Sequence, residues 1–135
     1  MTQFLHTAIN VTDLERAVAF YEGVLSLRRA DRPLTFPGVW YQVGGVQIHL
    51  IQATQVVNRL QDGNRWGRNP HLALGVPDLE HLRQKLAAAG IPYQASASGR
   101  AAIFVQDPDG NLIELGELPP RVNGAPAESI GAARQ

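Results

Sequence analysis

The ten residues from His6 to Glu15, HTAINVTDLE, return from His71 to Glu80 as HLALGVPDLE, an offset of 65 positions. Six of the ten positions are identical. The same offset, without a gap, places Gly45, Ile48, His49 and Leu50 on Gly110, Ile113, Glu114 and Leu115. Similarity at one fixed offset is typical of duplicated supersecondary units, so we predict two copies of one module. The copies span residues 3–53 and 69–118.

Each module has the pattern of a βαβββ unit. An alternating strand runs into a helix with apolar residues at helical spacing, and strand-like runs follow, separated by Gly-Gly or by Asp-Pro-Asp-Gly turns. Thr12 and Glu15 have the spacing of a capping box, and Asp78 is placed to cap the second helix. We therefore predict an α+β fold of two tandem modules in a single domain of residues 1–135. The predicted helices span residues 14–24 and 79–89, and the predicted strands 5–11, 39–43, 46–52, 72–76, 101–106 and 111–115.

Two segments lie outside the modules. The connector, residues 54–68, is polar and carries Arg59, Arg65, Trp66 and Arg68. It is either a solvated link or a mobile flap that supplies arginine and tryptophan to an anionic ligand. The tail, residues 119–135, is rich in Pro, Gly, Ala and Ser without periodicity, and we expect it to be loosely structured.

Composition excludes several classes of protein. The 135 residues include 12 basic and 12 acidic side chains and no cysteine. A disulfide scaffold, a thiolate metal site and a cysteine nucleophile are therefore ruled out. Because the charges balance, there is no net electrostatic attraction to nucleic acid or to an anionic membrane. No apolar run approaches the roughly 20 residues of a membrane span. No secretory signal is visible. We expect a soluble, cytoplasmic protein without nucleic-acid or membrane partners.

Strand parity places four ionisable residues together: His6, His49, His71 and Glu114. Side chains alternate along a strand, and all four lie opposite the branched aliphatic face that packs under a helix. A lone strand histidine is more often a hydrogen-bonded residue than a ligand, and a lone strand glutamate is often solvated. However, the repeat pairs His6 with His71 and His49 with Glu114, and unpaired buried polar groups cost about 1–3 kcal/mol each. A divalent metal bound by all four removes that cost, and imidazole with carboxylate suits Zn, Ni, Co, Mn or Fe.

The chain resembles the vicinal oxygen chelate superfamily, which is the glyoxalase, bleomycin-resistance and extradiol-dioxygenase group. The resemblance covers residues 3–117 and rests on the stretches VTDLERAVAFYEGVLSL, QIHL and DPDGNLIEL together with His6 and His71. It implies incomplete barrels around one metal per site, usually in a homodimer with sites near the subunit interface, and it assigns the metal to the same four residues. Two positions depart from the pattern: His49 replaces a common Glu or Gln, and Ser26 a common Gly.

The resemblance also implies a reaction. It points to a metal-dependent lyase or isomerase of glyoxalase type, acting on a small substrate whose neighbouring oxygens chelate the metal. The metal would stabilise an enediolate while Glu114, the only carboxylate of the four, moves a proton between adjacent carbons. Arg16, Arg65, Arg68 and Arg100 are candidates to hold the carboxylates of glutathione, or they are ordinary surface arginines.

Three alternatives remain. An Fe(II) extradiol dioxygenase uses two His and one Glu but usually has a longer chain. Fosfomycin-inactivating thiol transferases usually carry a lysine in a loop that here reads Ser96-Ala97-Ser98-Gly99-Arg100. A metal-free binding protein of bleomycin-resistance type lacks the ligand set that this chain has. Parity leaves open whether Trp40, Tyr41 and Phe104 face the cleft or the core.

Overall fold

The computed structural model describes residues 1–120, so most of the predicted tail, residues 121–135, lies outside the described residues. Two helices and two sheets make up the described part. Helix α1 is Leu14–Val18 and continues as a π-helical segment, Ala19–Val24; helix α2 is Leu79–Ala88. The strands are β1 His6–Val11, β2 Arg28–Ala30, β3 Gly38–Val43, β4 Val46–Gln52, β5 Leu72–Val76, β6 Tyr93–Ala95, β7 Ala102–Gln106 and β8 Leu112–Glu117. Within residues 1–120, no helix is both long and apolar enough to cross a bilayer.

Each copy of the repeat forms its own four-stranded sheet. The first sheet has the order β1-β4-β3-β2 and the second β5-β8-β7-β6. In both, the first strand of the module, β1 or β5, runs parallel to its neighbour, and the other pairs are antiparallel. Both sheets are open. This arrangement confirms the α+β fold, and the short strands β2 and β6 complete the βαβββ order of each module.

The two modules share one hydrophobic core. The aliphatic faces of both sheets and the apolar faces of both helices contribute to a single cluster. Its fully buried members include Val11, Leu50, Leu86 and Leu115, which come from both modules. Strand parity predicts these faces correctly, except at Leu5, which precedes β1 and is 69% exposed. The opposite faces of the sheets are therefore left for a site.

The start of α1 differs from the prediction. Asp13, and not Thr12, is the N-cap, and its side chain accepts a hydrogen bond from the amide of Arg16. Thr12 instead donates its hydroxyl to Asp109 Oδ1 at 2.6 Å and its amide to Asp109 Oδ2 at 3.0 Å. The predicted capping box is therefore wrong, because a carboxylate from the other module takes both polar groups of Thr12. The predicted cap of α2 by Asp78 is present.

A buried hydrogen bond joins the modules beside this contact. The hydroxyl of Tyr21, in the π-helical segment after α1, donates to Asp107 Oδ2 at 2.7 Å, and Asp107 is only 4% exposed. Burial, followed by the charge of Asp107, raises the pKa of Tyr21 well above its usual value. Tyr21 therefore remains a hydrogen-bond donor throughout the ordinary pH range, and the contact between the modules is retained.

Candidate metal and substrate site

The four predicted ligands form two pairs, one on each sheet. His6 and His49 lie on the neighbouring strands β1 and β4, and their rings stack with centroids 4.1 Å apart. His71 precedes β5 and Glu114 lies on β8, with His71 Nε2 3.5 Å from Glu114 Oε1. The pairs occupy equivalent positions of the repeat. Among residues 1–120 no three His, Asp or Glu side chains come together as one metal-binding group, so the shared site stays a prediction.

Trp40 stacks on the histidine pair of the first sheet. It stands opposite His49 in the β3–β4 ladder, and the two rings stack at 4.1 Å with 8° between their planes. Trp40 therefore lies on the same face of the first sheet as His49, while the next residue, Tyr41, is fully buried in the core. Burial, then the charges of His6 and Arg32, lower the pKa of His49. The neutral ring that this favours is the form that binds a metal.

Two glutamines determine which nitrogen of His49 is available. The amide nitrogen of Gln42 donates to the carbonyl of Gly44 at 2.8 Å, so its oxygen is free to accept from Gln47 Nε2 at 2.9 Å. Gln47 then presents its own oxygen to His49 Nε2 at 2.8 Å. Because that oxygen can only accept, Nε2 carries the hydrogen and the lone pair of the neutral ring is on Nδ1.

The pair on the second sheet, His71 and Glu114, offers two candidate metal ligands. His71 Nδ1 lies 2.6 Å from the carbonyl oxygen of Asn69 and must donate to it. The lone pair of a neutral His71 is then on Nε2, which faces Glu114 Oε1 at 3.5 Å. Two acceptors that face each other repel unless a proton or a cation lies between them. The pair therefore fits a divalent metal, with two ligands supplied and the rest of the coordination shell open.

The connector packs against this second pair. Asn69, 5% exposed, accepts two backbone amides, from Gln61 and Asp62. Its side-chain nitrogen donates to the carbonyls of Asp62, Arg65 and Trp66. A short 3₁₀ turn, Trp66–Arg68, then lies on Phe104, where a Cβ at Gly67 would come within 2.8 Å of the ring. The connector therefore lies over Phe104, which lines the cavity between the connector and β8, and the Phe104 ring is 5.2 Å from the ring of His71.

A cavity of about 220 Å³ lies between the connector and β8. Three of the four predicted arginines line it, together with two serines and the candidate base Glu114. These residues are Arg65, Arg68, Ser96, Ser98, Arg100 and Glu114. The fourth arginine, Arg16, lies on the helical side of the sheets beside Phe20. The cavity therefore combines one carboxylate with an excess of positively charged hydrogen-bond donors.

The residues Asn69, Gln42, Gln47 and Arg32 are not among the predicted site residues. The two glutamines alternate with Tyr41 and Ile48, so parity places them on the histidine face and could have identified them. Asn69 carries no comparable signal, since its role depends on the path of the connector.

Replacing Asn69 by alanine is expected to release the connector. The substitution removes five hydrogen bonds to buried or half-buried backbone groups and should lower the free energy of unfolding by about 2–3 kcal/mol. The measurement is limited trypsin digestion, because Arg59, Arg65 and Arg68 lie in this segment. We expect cleavage there to accelerate at least about tenfold. Asn64→Ala, at an exposed position of the same segment, is the matched control, and equal cleavage of the two variants would contradict the role of Asn69.

The chain is similar in sequence to known proteins. Residues 3–115 match the family model of the Glyoxalase/Bleomycin resistance protein/Dioxygenase superfamily. Lactoylglutathione lyase of Haemophilus influenzae is 33% identical over 126 positions, covering 84% of this chain and 90% of that protein. The Salmonella typhimurium lactoylglutathione lyase is also 33% identical, with the same coverage.

Solved structures show the same fold. Leishmania major glyoxalase I, described as trypanothione-dependent, superposes with a TM-score of 0.60 at 28% identity, covering 87% of each chain. The fosfomycin resistance protein FosX of Listeria monocytogenes gives a TM-score of 0.66 at 18% identity, covering 87% of this chain and 93% of that one. The duplicated modules and the fold fit the family match over residues 3–115. This chain therefore belongs to the glyoxalase, bleomycin resistance protein and dioxygenase superfamily.

Proposed function

We propose that this protein is a metal-dependent lyase or isomerase of glyoxalase type, acting on a small substrate with two neighbouring oxygens. The observation that carries the proposal is the pair of half-sites: two imidazoles on one sheet and an imidazole with a carboxylate on the other. The lactoylglutathione lyases that are about one-third identical to the chain support the same reaction class. When bound, the metal supplies Lewis-acid stabilisation to charge that develops on the substrate oxygens.

Three imidazoles and one carboxylate define the candidate ligand set. His6 and His49 would hold the metal from one sheet, and His71 and Glu114 from the other. Imidazole-rich sets favour Zn, Ni, Co or Fe over Mg or Ca. Compared with a site that has a carboxylate in place of His49, this one carries one negative charge less, which favours an anionic substrate.

Glu114 is the candidate base. Its side chain is 13% exposed, and its two oxygens face the cavity where Arg100 and His71 approach. In the proposed reaction its carboxylate takes the proton from the carbon that bears the hydroxyl and returns it to the neighbouring carbon. The net change is an isomerisation, so neither an external oxidant nor a reductant is required. Phe104 lies opposite Glu114 in the β7–β8 ladder and lines the same cavity.

Two copies of the chain are proposed to complete each site. The pairs face outward from separate sheets, and a single copy does not unite three ligands within residues 1–120. A two-fold axis that places the first sheet of one copy against the second sheet of its partner would create two equal sites. Exposed apolar residues of the first module, such as Ile51 at 37% and Phe36 at 54%, are available for such an interface.

A complementation experiment tests both parts of the proposal. His6→Ala and His71→Ala are each purified, assayed for isomerisation of a 2-oxoaldehyde thiol adduct with added Zn²⁺, Ni²⁺ or Co²⁺, and then unfolded and refolded together. Each variant alone should be inactive. In a mixed dimer one of the two sites retains all four ligands, so the mixture should recover about a quarter of the wild-type activity.

The outcomes separate the alternatives. No recovery from an active wild type would show that each site is built from one chain. A wild type that binds Fe²⁺ and opens catechols would indicate a dioxygenase. A wild type that takes up no metal would contradict the catalytic proposal and leave a metal-free binding protein. His81→Ala, on helix α2, is the matched control and should retain full activity.

A further inference from the structure

Arg100 lies beside Glu114, the carboxylate of the proposed metal site. Its Nη1 and Nη2 lie 3.5 and 3.4 Å from the two oxygens of Glu114. These distances exceed the 2.7–2.9 Å of strong charge-assisted hydrogen bonds, so the guanidinium is a loose partner. Its side chain is 59% exposed, whereas that of Glu114 is 13% exposed. Arg100 is therefore open to solvent and to an incoming ligand, whereas Glu114 is largely buried.

Hydrogen bonds within its own loop position the Arg100 side chain at the cavity. Its Nε donates to the hydroxyl of Ser98 at 3.0 Å, and Ser98 in turn lies 2.8 Å from the hydroxyl of Ser96. Gly99, with φ at +79°, forms the turn before Arg100 and adopts a conformation that favours glycine. The same guanidinium thus contacts Glu114 on one side and lines the cavity on the other.

The cavity has the chemistry of an oxyanion site. Arg65 and Arg68 of the connector line it, together with Ser96 and Ser98 of the loop that carries Arg100. Arg68 lies 4.0 Å from Asp62 and Arg100 lies 3.4 Å from Glu114. Three arginines with two carboxylates leave an excess of positive charge at the cavity, which a bound anion would balance. Planar guanidinium donors match carboxylate and phosphonate oxygens in pairs.

We propose that Arg100 exchanges partners: it pairs with Glu114 in the metal-free protein and with an oxyanionic group of the substrate, held between Arg65 and Arg68, when a metal occupies Glu114. This inference rests on the proposed function. A divalent cation at Glu114 repels the adjacent guanidinium, and an anion in the cavity attracts it. Metal and anion therefore bind cooperatively, and by linkage each raises the affinity of the other by the same factor.

A metal titration without any assay of activity tests the exchange. Co²⁺ is added to wild-type protein and to Arg100→Gln, with and without methylphosphonate, and its visible absorption is followed. For the wild type, methylphosphonate should tighten Co²⁺ binding about tenfold, within the usual range of coupling between two sites. Arg100→Gln should bind Co²⁺ tightly from the start and show no effect of methylphosphonate. Arg16→Gln, which removes an exposed arginine on the helical side, should behave as the wild type.

Each result decides between explanations. Equal Co²⁺ affinity of wild type and Arg100→Gln would overturn the exchange while leaving the metal site intact. A methylphosphonate effect that persists in Arg100→Gln would mean direct coordination of the anion to the metal and would also overturn it. A wild type that binds no Co²⁺ would overturn both this inference and the proposed function.

A kinetic comparison identifies the source of the anion. Adducts of a 2-oxoaldehyde with 3-mercaptopropionate carry a carboxylate, and those with 2-mercaptoethanol do not. Arg100→Gln should raise the KM of the first about tenfold, in line with the loss of one charged hydrogen-bonded pair, and leave that of the second unchanged. Equal effects on both would overturn the assignment of the anion to the substrate.

Discussion

Glu114→Gln is expected to reduce kcat by about 10²–10⁴, the contribution usually measured for a general acid or base. The amide has nearly the shape of the carboxylate, so the strand and its neighbours should be undisturbed. It cannot take a proton, however, and it is a weaker metal ligand. The assay is the isomerisation of a 2-oxoaldehyde thiol adduct, run at increasing metal concentration until the rate no longer changes.

Metal content separates the two roles of Glu114. If the variant binds metal at saturation and is still slow, the lost group is the base. If full activity returns at high metal concentration, Glu114 serves only as a ligand and another group moves the proton. Glu80→Gln is the control, since Glu80 lies exposed on α2 with Arg83 3.9 Å away and should leave kcat unchanged.

Strand alternation makes the outward face predictable. A period of two holds along any strand, so His6, His49 and Glu114 could be assigned to one face before the sheets were known. The repeat added the equivalence of His71 with His6. What could not be read from the chain is how the two faces meet, because that depends on the packing of the modules and, in the proposed dimer, on a second copy.

Contacts between distant segments account for the incorrect and missing assignments. Thr12 has the local spacing of a cap, but Asp109, 97 residues away, binds its hydroxyl and amide. The face of Trp40 became clear only when β3 and β4 were paired and placed it opposite His49. Arg100 could be identified as a cation near the Asp-Pro-Asp-Gly turn, but its contact with Glu114 depends on the turn at Gly99. Local rules do not report such contacts.

Asp107→Ala is expected to destabilise the fold by about 3 kcal/mol, the cost of removing one member of a buried charged network. Asp107 Oδ2 accepts from Tyr21 at 2.7 Å and from the side chain of Asn111 at 2.8 Å. Its Oδ1 accepts from the amides of Asp109 at 2.9 Å and Asn111 at 2.8 Å. Alanine leaves all four donors without this acceptor, and the Tyr21 hydroxyl stays buried. Urea unfolding followed by circular dichroism measures the loss.

Because Asp107 holds both a turn and a contact between the modules, the two contributions must be separated. Tyr21→Phe removes the contact between the modules alone and should cost about 1–2 kcal/mol, as expected for a buried hydrogen bond to a charged group. Thr12→Val removes the exposed hydroxyl contact to Asp109 nearby and should cost about 1 kcal/mol or less. The double variant Tyr21→Phe/Asp107→Ala should lose less stability than the sum of the two single losses, since both substitutions remove the same hydrogen bond. Strict additivity would mean that Asp107 acts through the turn alone, and that the modules are held together by their common hydrophobic core.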